Sequence, residues 1–269
     1  MKTIKITYIL AFVSILIFSA CEKEGTVLLP KIKALKPFEM SGYVLGDTIE
    51  QYFDGVKVRD YYGWVTLGSV APSIAFENEV TTMEFRKKST GQKIYEQKFK
   101  ITDENNVVPK FYFDGTTLSP RYDYPVAQGK DYLINFYYDA PKGSAGIDLS
   151  IDVLEYYYDV DNNLVVVKTT SFPLASNIEI GKWTDFIKIT PPAPVALTQP
   201  GTDLYPVVTM RNSKTKEYLI ANDRDRSTLQ IEIPDEFTSS GKVQSIHLAN
   251  KTENKINYMQ VNNLVQFFP

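Results

Sequence analysis

Apolar and polar residues alternate with a period of two along most of this chain, and that pattern restricts it to β structure before any motif is considered. In residues 82–88, Met83 and Phe85 alternate with Glu84, Arg86 and Lys88. Ser89-Thr90-Gly91-Gln92 follows as a turn, and then Tyr95, Phe99 and Ile101 alternate with Glu96, Lys98 and Lys100. Successive strand side chains point to opposite faces, so the pattern predicts an antiparallel hairpin with one wet face. Residues 49–58 predict a second hairpin, in which Asp54-Gly55 supplies the left-handed angles of a two-residue turn. Further strands are expected at 110–114, 130–139, 147–158, 164–170, 205–210, 217–221, 228–233, 242–249, 256–261 and 264–268. No window of about 12 residues beyond the amino-terminal segment carries a helical stripe.

The fold class read from this pattern is all-β, with two sandwiches of Ig-like or transthyretin-like type. Asp114-Gly115-Thr116-Thr117-Leu118-Ser119-Pro120 breaks the alternation and places a division near residue 117. The expected units are a sandwich over 36–117 and a larger one over 118–269. Thr190-Pro191-Pro192-Ala193-Pro194 and Thr198-Gln199-Pro200-Gly201 cannot run through a central strand, because proline withholds a ladder donor. That stretch reads equally as a linker or as a crossover inside one sandwich.

Cys21 is the sole cysteine, so no disulfide framework exists. It follows Lys2 and Lys5, an apolar run from Ile6 to Phe18, and the small residues Ser19-Ala20. A basic head, a short apolar run and small residues before a cut describe a secretory signal over 1–20. The run falls short of the roughly 20 residues that a membrane-spanning helix needs. Phe18-Ser19-Ala20-Cys21 resembles the lipobox of bacterial lipoproteins, with phenylalanine where leucine is usual. The resemblance implies cleavage after Ala20, lipid on Cys21, and a membrane partner reached through that lipid. Residues 21–35 then form a lipidated tether. Its start, Cys21-Glu22-Lys23-Glu24, is similar to the acidic sequences that follow the cysteine in surface-exported lipoproteins of Bacteroidetes-type bacteria.

Enzyme signatures are scarce. The single histidine, His247, sits in an alternating strand beside Ser245 and away from Ile246 and Leu248, which suits a structural role. There is no Gly-x-Ser-x-Gly elbow, no phosphate loop and no thiol besides Cys21, so no catalytic residue and no cofactor is expected. Histidine and cysteine are too few for a zinc site. Glu50, Asp123 and Glu155 lie near aromatic residues, but spacing alone cannot set two carboxylates across a cleft. Asp159-Val160-Asp161-Asn162-Asn163 offers hard oxygens, yet reads more simply as a hairpin turn than as a cation loop. A net charge of −3 gives no electrostatic case for nucleic acid.

Aromatic residues are the remaining candidates. The chain has 18 tyrosines and 15 phenylalanines but only 2 tryptophans. Flat rings with polar edges suit sugars, and they also suit the half-buried face of a strand. Trp64 and Trp183 are the candidate platforms, followed by Tyr61, Tyr62 and Tyr157; Tyr122-Asp123-Tyr124-Pro125 adds a cluster in an expected loop.

The lipobox, the charged residues after it and the tyrosine-rich strands with Asp-Gly and Asn-Asn turns together resemble the small β-rich lipoproteins that Bacteroidetes encode beside glycan importers of the SusC and SusD type. The resemblance implies a non-catalytic protein on the outer membrane, facing outward, that binds polysaccharide and neighbours an outer-membrane transporter. A pilin-like or adhesin subunit is the alternative, with Arg59 as a processing site. Replacing Cys21 by Ser is expected to abolish labelling by a palmitate analogue and to release the protein from the membrane fraction; unchanged labelling would refute the anchor.

Overall fold

A computed structural model describes residues 32–67, 73–191, 193–233 and 241–269. The signal, Cys21 and most of the tether lie outside the described residues.

The chain is all-β with a single α-helical turn among the described residues. β1 (Ala34–Phe53) and β2 (Val56–Leu67) form the hairpin expected around Asp54 and Gly55, whose φ angles are 48° and 81°. The length of β1 was not legible, because it bends. Its register shifts between Val44 and Ile49, and Gly46 sits there at φ 75°. Before the bend β1 pairs in parallel with β6 (Asn106–Phe113); after it, β1 pairs antiparallel with β4 (Val80–Lys87). β5 (Lys93–Lys100) pairs with β4 in the hairpin expected around residues 89–92, β3 (Ser73–Phe76) pairs with the start of β1, and β7 (Leu118–Ser119) pairs with β6. The two arms of β1 close over one core. Phe38 and Phe53, one from each arm, meet edge to face at 5.7 Å. Met40, Val44, Ile49, Met83, Phe85, Phe111 and Phe113 fill the space between them.

Two four-stranded sheets follow. One has the order β10-β9-β12-β13, the other β11-β8-β14-β15. Their strands are β8 (Tyr132–Asp139), β9 (Ile147–Tyr158), β10 (Leu164–Ile178), β11 (Ile187–Ile189), β12 (Asp203–Asn212), β13 (Thr228–Leu229), β14 (Lys242–Glu253) and β15 (Ile256–Asn263). Ile134, Phe136, Leu149, Ile151, Val208, Met210, Ile246 and Leu248 supply the core between the sheets. Pro173 is accommodated because β10 is an edge strand. The proline-rich stretch runs from β11 in one sheet to β12 in the other, and so is a crossover.

Three expected strands differ. Residues 217–221 are turns with one bridge, Arg211 to Tyr218. Side chains there take the backbone donors a ladder would use: Asn222 accepts from the Tyr218 N–H and Ser227 from the Ile220 N–H. Residues 228–233 shorten to β13. Residues 264–268 form not a strand but the turn α1 (Leu264–Phe267), started by the Asn263 side chain accepting from the Val265 N–H.

The two packings meet at a third apolar cluster. Tyr43 and Leu45 of β1, Tyr112 of β6, Tyr122, Tyr137 of β8, Leu264 and Phe268 are all buried in it. Trp64, Tyr43 and Tyr112 sit side by side in register on three adjacent strands, forming one aromatic row. Phe267 packs on Tyr43 and Trp64 with ring centres 5.4 and 5.2 Å apart, and Phe268 lies 6.1 Å from Tyr112. The carboxyl-terminal turn therefore fastens the second packing to the outer face of the first.

A methyl group on Gly46 would stand 2.5 Å from the Asp114 carbonyl oxygen and 2.9 Å from Gly115 Cα, at a backbone angle that side chains resist. Gly55 has a similar φ but open space around it. Gly46→Ala is expected to cost roughly 2–3 kcal/mol in urea unfolding, and Gly55→Ala about 1 kcal/mol, since only the first adds a collision to the strain. Equal losses would show that the bend tolerates a side chain.

Candidate binding site

The structure disperses the sequence candidates. Tyr61 faces the first core, and its hydroxyl donates to Gln51 Oε1 at 2.8 Å. Its neighbours Tyr62 and Trp64 point outward, as alternation requires. Trp64 is 57% exposed, with one side of its ring resting on Phe267. Tyr62 is 36% exposed; burial raises the pKa of its hydroxyl, and Tyr137 and Asp139 add to the rise. Trp183 is half-buried in the seam, where its Nε1–H donates to the Tyr112 hydroxyl at 3.3 Å and its ring tilts against Tyr122 and Tyr137. Tyr157 lies apart, near the end of β9. Beside it Tyr156 meets Tyr158 and Tyr205 edge to face, on an exposed tyrosine cluster.

Tyr122 and Tyr124 enter the seam from the segment between β7 and β8. Tyr122 is buried and donates to Ser245 Oγ at 3.1 Å, while Tyr124 lies nearly parallel to it at 6.2 Å. Around them an open cleft of about 430 Å³ is lined by Lys110, Pro120, Arg121, Tyr122, Asp123, Tyr124, Val126, Phe268 and Pro269. Lys110 donates to the Phe267 carbonyl and places its ammonium 4.8 Å from the Phe268 ring centre. Sequence reasoning missed Lys110, Phe267 and Phe268, because 264–268 read as one more strand and nothing local marks it as a turn that crosses to β1 and β6.

His247 lies on the face of β14 opposite Ile246 and Leu248, as alternation predicts, and that face meets the seam. It is 2% exposed, and its Nδ1 shares a 2.8 Å hydrogen bond with the Tyr43 hydroxyl. Nε2 has no hydrogen-bond partner among the described residues and stands 3.8 Å from Asp139 Oδ2. The imidazole thus ties β14 to β1 across the seam.

Glu50, Asp123, Asp159 and Glu155 each have partners in the structure. Glu50 accepts from Lys57 and from the Tyr52 hydroxyl, and Asp123 pairs with Arg121. Asp159 accepts from the Asp161 and Asn163 N–H groups, closing its own turn with Asn162 at φ 62°. Glu155 is buried and holds the proline-rich crossover. It accepts from the Thr198 N–H and hydroxyl at 2.7 Å each, the Thr202 hydroxyl at 2.8 Å and the Gln199 N–H at 3.0 Å. Hydrogen bonding, first from the Thr198 side chain, outweighs the burial that opposes its charge and brings its pKa down to about 2.

No family model matches the chain. No curated protein matches it either. Among solved structures the chain is similar to a candidate adhesin from Bacteroides ovatus, at 7% identity and TM-score 0.25, over 85% of this chain and 92% of that one. It is also similar to a candidate cell adhesion protein from Bacteroides uniformis, at 11% identity and TM-score 0.21, over 86% and 99% of the two chains. A candidate polysaccharide-binding protein from Bacteroides thetaiotaomicron shows 7% identity and TM-score 0.19, over 85% and 95%. Similarity this low carries no argument about function.

The Glu155 clamp gives a pH dependence of defined sign. A carboxyl whose pKa falls from 4.5 to about 2 on folding stabilises the native state fully above pH 4.5, and that contribution disappears as pH falls toward 2. Urea midpoints measured from pH 6 to pH 2 should therefore fall for the wild-type chain. Glu155→Gln should be less stable at pH 6 and show a shallower acid limb. An unchanged acid limb would remove Glu155 as the cause.

Proposed function

We propose that this chain is a non-catalytic cell-surface protein that captures carbohydrate, tethered to the outer membrane by lipid on Cys21 and placed beside an outer-membrane transporter. The observation that carries the reading is the setting of Trp64. Its indole is more exposed than covered, yet it stands on a paired strand in register with Tyr43 and is braced from one side by Phe267. A flat ring held by its neighbours loses little freedom when a sugar face stacks on it. Tyr62 extends the same outer face two residues away. Binding rather than turnover is favoured because Glu50 and Glu155, two of the carboxylates considered for hydrolysis, are held by neighbouring donors, and the one histidine is bonded within the seam.

A structural subunit is the second reading, and one feature favours it. β15 lies at the edge of its sheet, with β14 as its ladder partner among the described residues. Such an edge accepts a strand from another chain. Arg59, the candidate processing site, lies within β2 and pairs with Gln51. Polymer ladders on a denaturing gel of unboiled protein would favour that reading.

A glycan array on the soluble chain beginning at Lys23 tests capture. The wild-type chain should bind at least one polysaccharide class, and Trp64→Ala should weaken that binding about tenfold, or roughly 1.4 kcal/mol. Binding unaffected by the substitution would remove Trp64 as a platform.

A further inference from the structure

We propose that the seam cleft is a second carbohydrate site, which takes one pyranose unit of a glycan on the exposed side of Tyr124. The inference rests on the capture reading but concerns a surface distinct from Trp64. The aromatic row separates them: Trp64 rests on Phe267 at one end, whereas the cleft is walled by Phe268 and Lys110 at the other.

Three features make the cleft a built site rather than a dent. First, its floor is fixed. Tyr122 is held by Ser245, meets Tyr112 edge to face at 5.0 Å and leans on Trp183 at 5.6 Å, so its ring cannot turn without opening the seam. Second, Tyr124 is stacked on that floor with an interplanar angle of 28°, which presents a second flat ring to the cleft at a set tilt. Third, the rim carries a donor and an acceptor side by side. Arg121 Nε and Asp123 Oδ1 are 2.8 Å apart, and both side chains are more than three-quarters exposed.

Those parts match the chemistry of a sugar ring. A pyranose has an apolar C–H face and a rim of hydroxyls, each hydroxyl both donor and acceptor. Stacking on Tyr124 covers the C–H face. Arg121 and Asp123 then offer charge-assisted partners to neighbouring hydroxyls, exchanging an exposed ion pair of little worth for hydrogen bonds to ligand. The volume of about 430 Å³ falls within the range of small-molecule pockets. Asp123 offsets the charge of Arg121, and the Lys110 ammonium is already engaged by the Phe267 carbonyl and the Phe268 ring, so the cleft can take a neutral sugar without any further charged partner. Because β6, the 120–126 segment and Phe268 all line it, an occupant also bridges the two packings and should stabilise them together.

The test compares oligosaccharide array binding and thermal shift for the wild-type chain and for Tyr124→Ala, Tyr124→Phe, Arg121→Ala and Trp64→Ala. Circular dichroism and unfolding midpoints confirm that each variant is folded. The Arg121 side chain is 77% exposed, so its variant separates loss of binding from loss of fold. At least one neutral oligosaccharide should lose about tenfold or more in affinity with Tyr124→Ala and severalfold with Arg121→Ala. Its binding should persist in Tyr124→Phe and Trp64→Ala, and saturating it should raise the wild-type unfolding midpoint. If wild type binds glycans and both Tyr124→Ala and Arg121→Ala bind them unchanged, the cleft is refuted while capture stands. If wild type binds no glycan, capture falls and the cleft falls with it.

Discussion

The structure depends on the aromatic seam between the two β packings. Tyr43 is its centre: its ring lies in register with Trp64 and Tyr112, its outer face is covered by Phe267, and its hydroxyl bonds to His247 of β14. Buried aromatic side chains cover about 150–250 Å² each, so each represents several kcal/mol of apolar burial at about 25 cal/mol per Å². The polar atoms are aligned with this burial rather than against it. Tyr122 finds Ser245, Trp183 finds Tyr112, and Tyr43 finds His247. These hydrogen bonds fix the angle at which rings meet, which nondirectional burial alone does not specify.

That seam exists because β1 changes direction. One arm of β1 offers Tyr43 and Leu45 outward while Val44 faces the first core. Gly46 then turns the strand, and Ile49 resumes the same core from the other side. A single strand thus belongs to both layers of the first packing and to the interface with the second. Gly46 and Gly115 approach each other so closely that neither position has room for a side chain. The bend is therefore held from both sides by backbone.

Much of this was legible as local pattern. The hairpins at Asp54-Gly55 and at residues 88–92 follow from alternation and turn chemistry, and His247 faces away from Ile246 and Leu248 as its strand parity requires. Parity puts Tyr61 and Tyr62 on opposite faces but could not say which face met water, so Tyr61, which is core, stood as a candidate beside Tyr62 and Trp64. Contacts distant in sequence were not legible. The parallel pairs β1 with β6 and β8 with β14 leave no local mark, and the 264–268 segment has strand-like composition although Asn263 caps it into a turn. Glu155 shows the same limit. Its neighbours in sequence are tyrosines, whereas its partners in space are Thr198, Gln199 and Thr202.

The position of Phe267 on Tyr43 also bears on how the chain reaches its native state. These residues stand more than two hundred positions apart, and loop closure on that scale is slow compared with forming hairpins. Until residues 264–268 are synthesised and brought across, the row of Trp64, Tyr43 and Tyr112 has no cover, and the first packing presents bare aromatic surface. A chain interrupted before Leu264 would keep its hairpins yet display that surface to chaperones and proteases. The seam therefore closes only once Phe267 and Phe268 have crossed to the row of Trp64, Tyr43 and Tyr112.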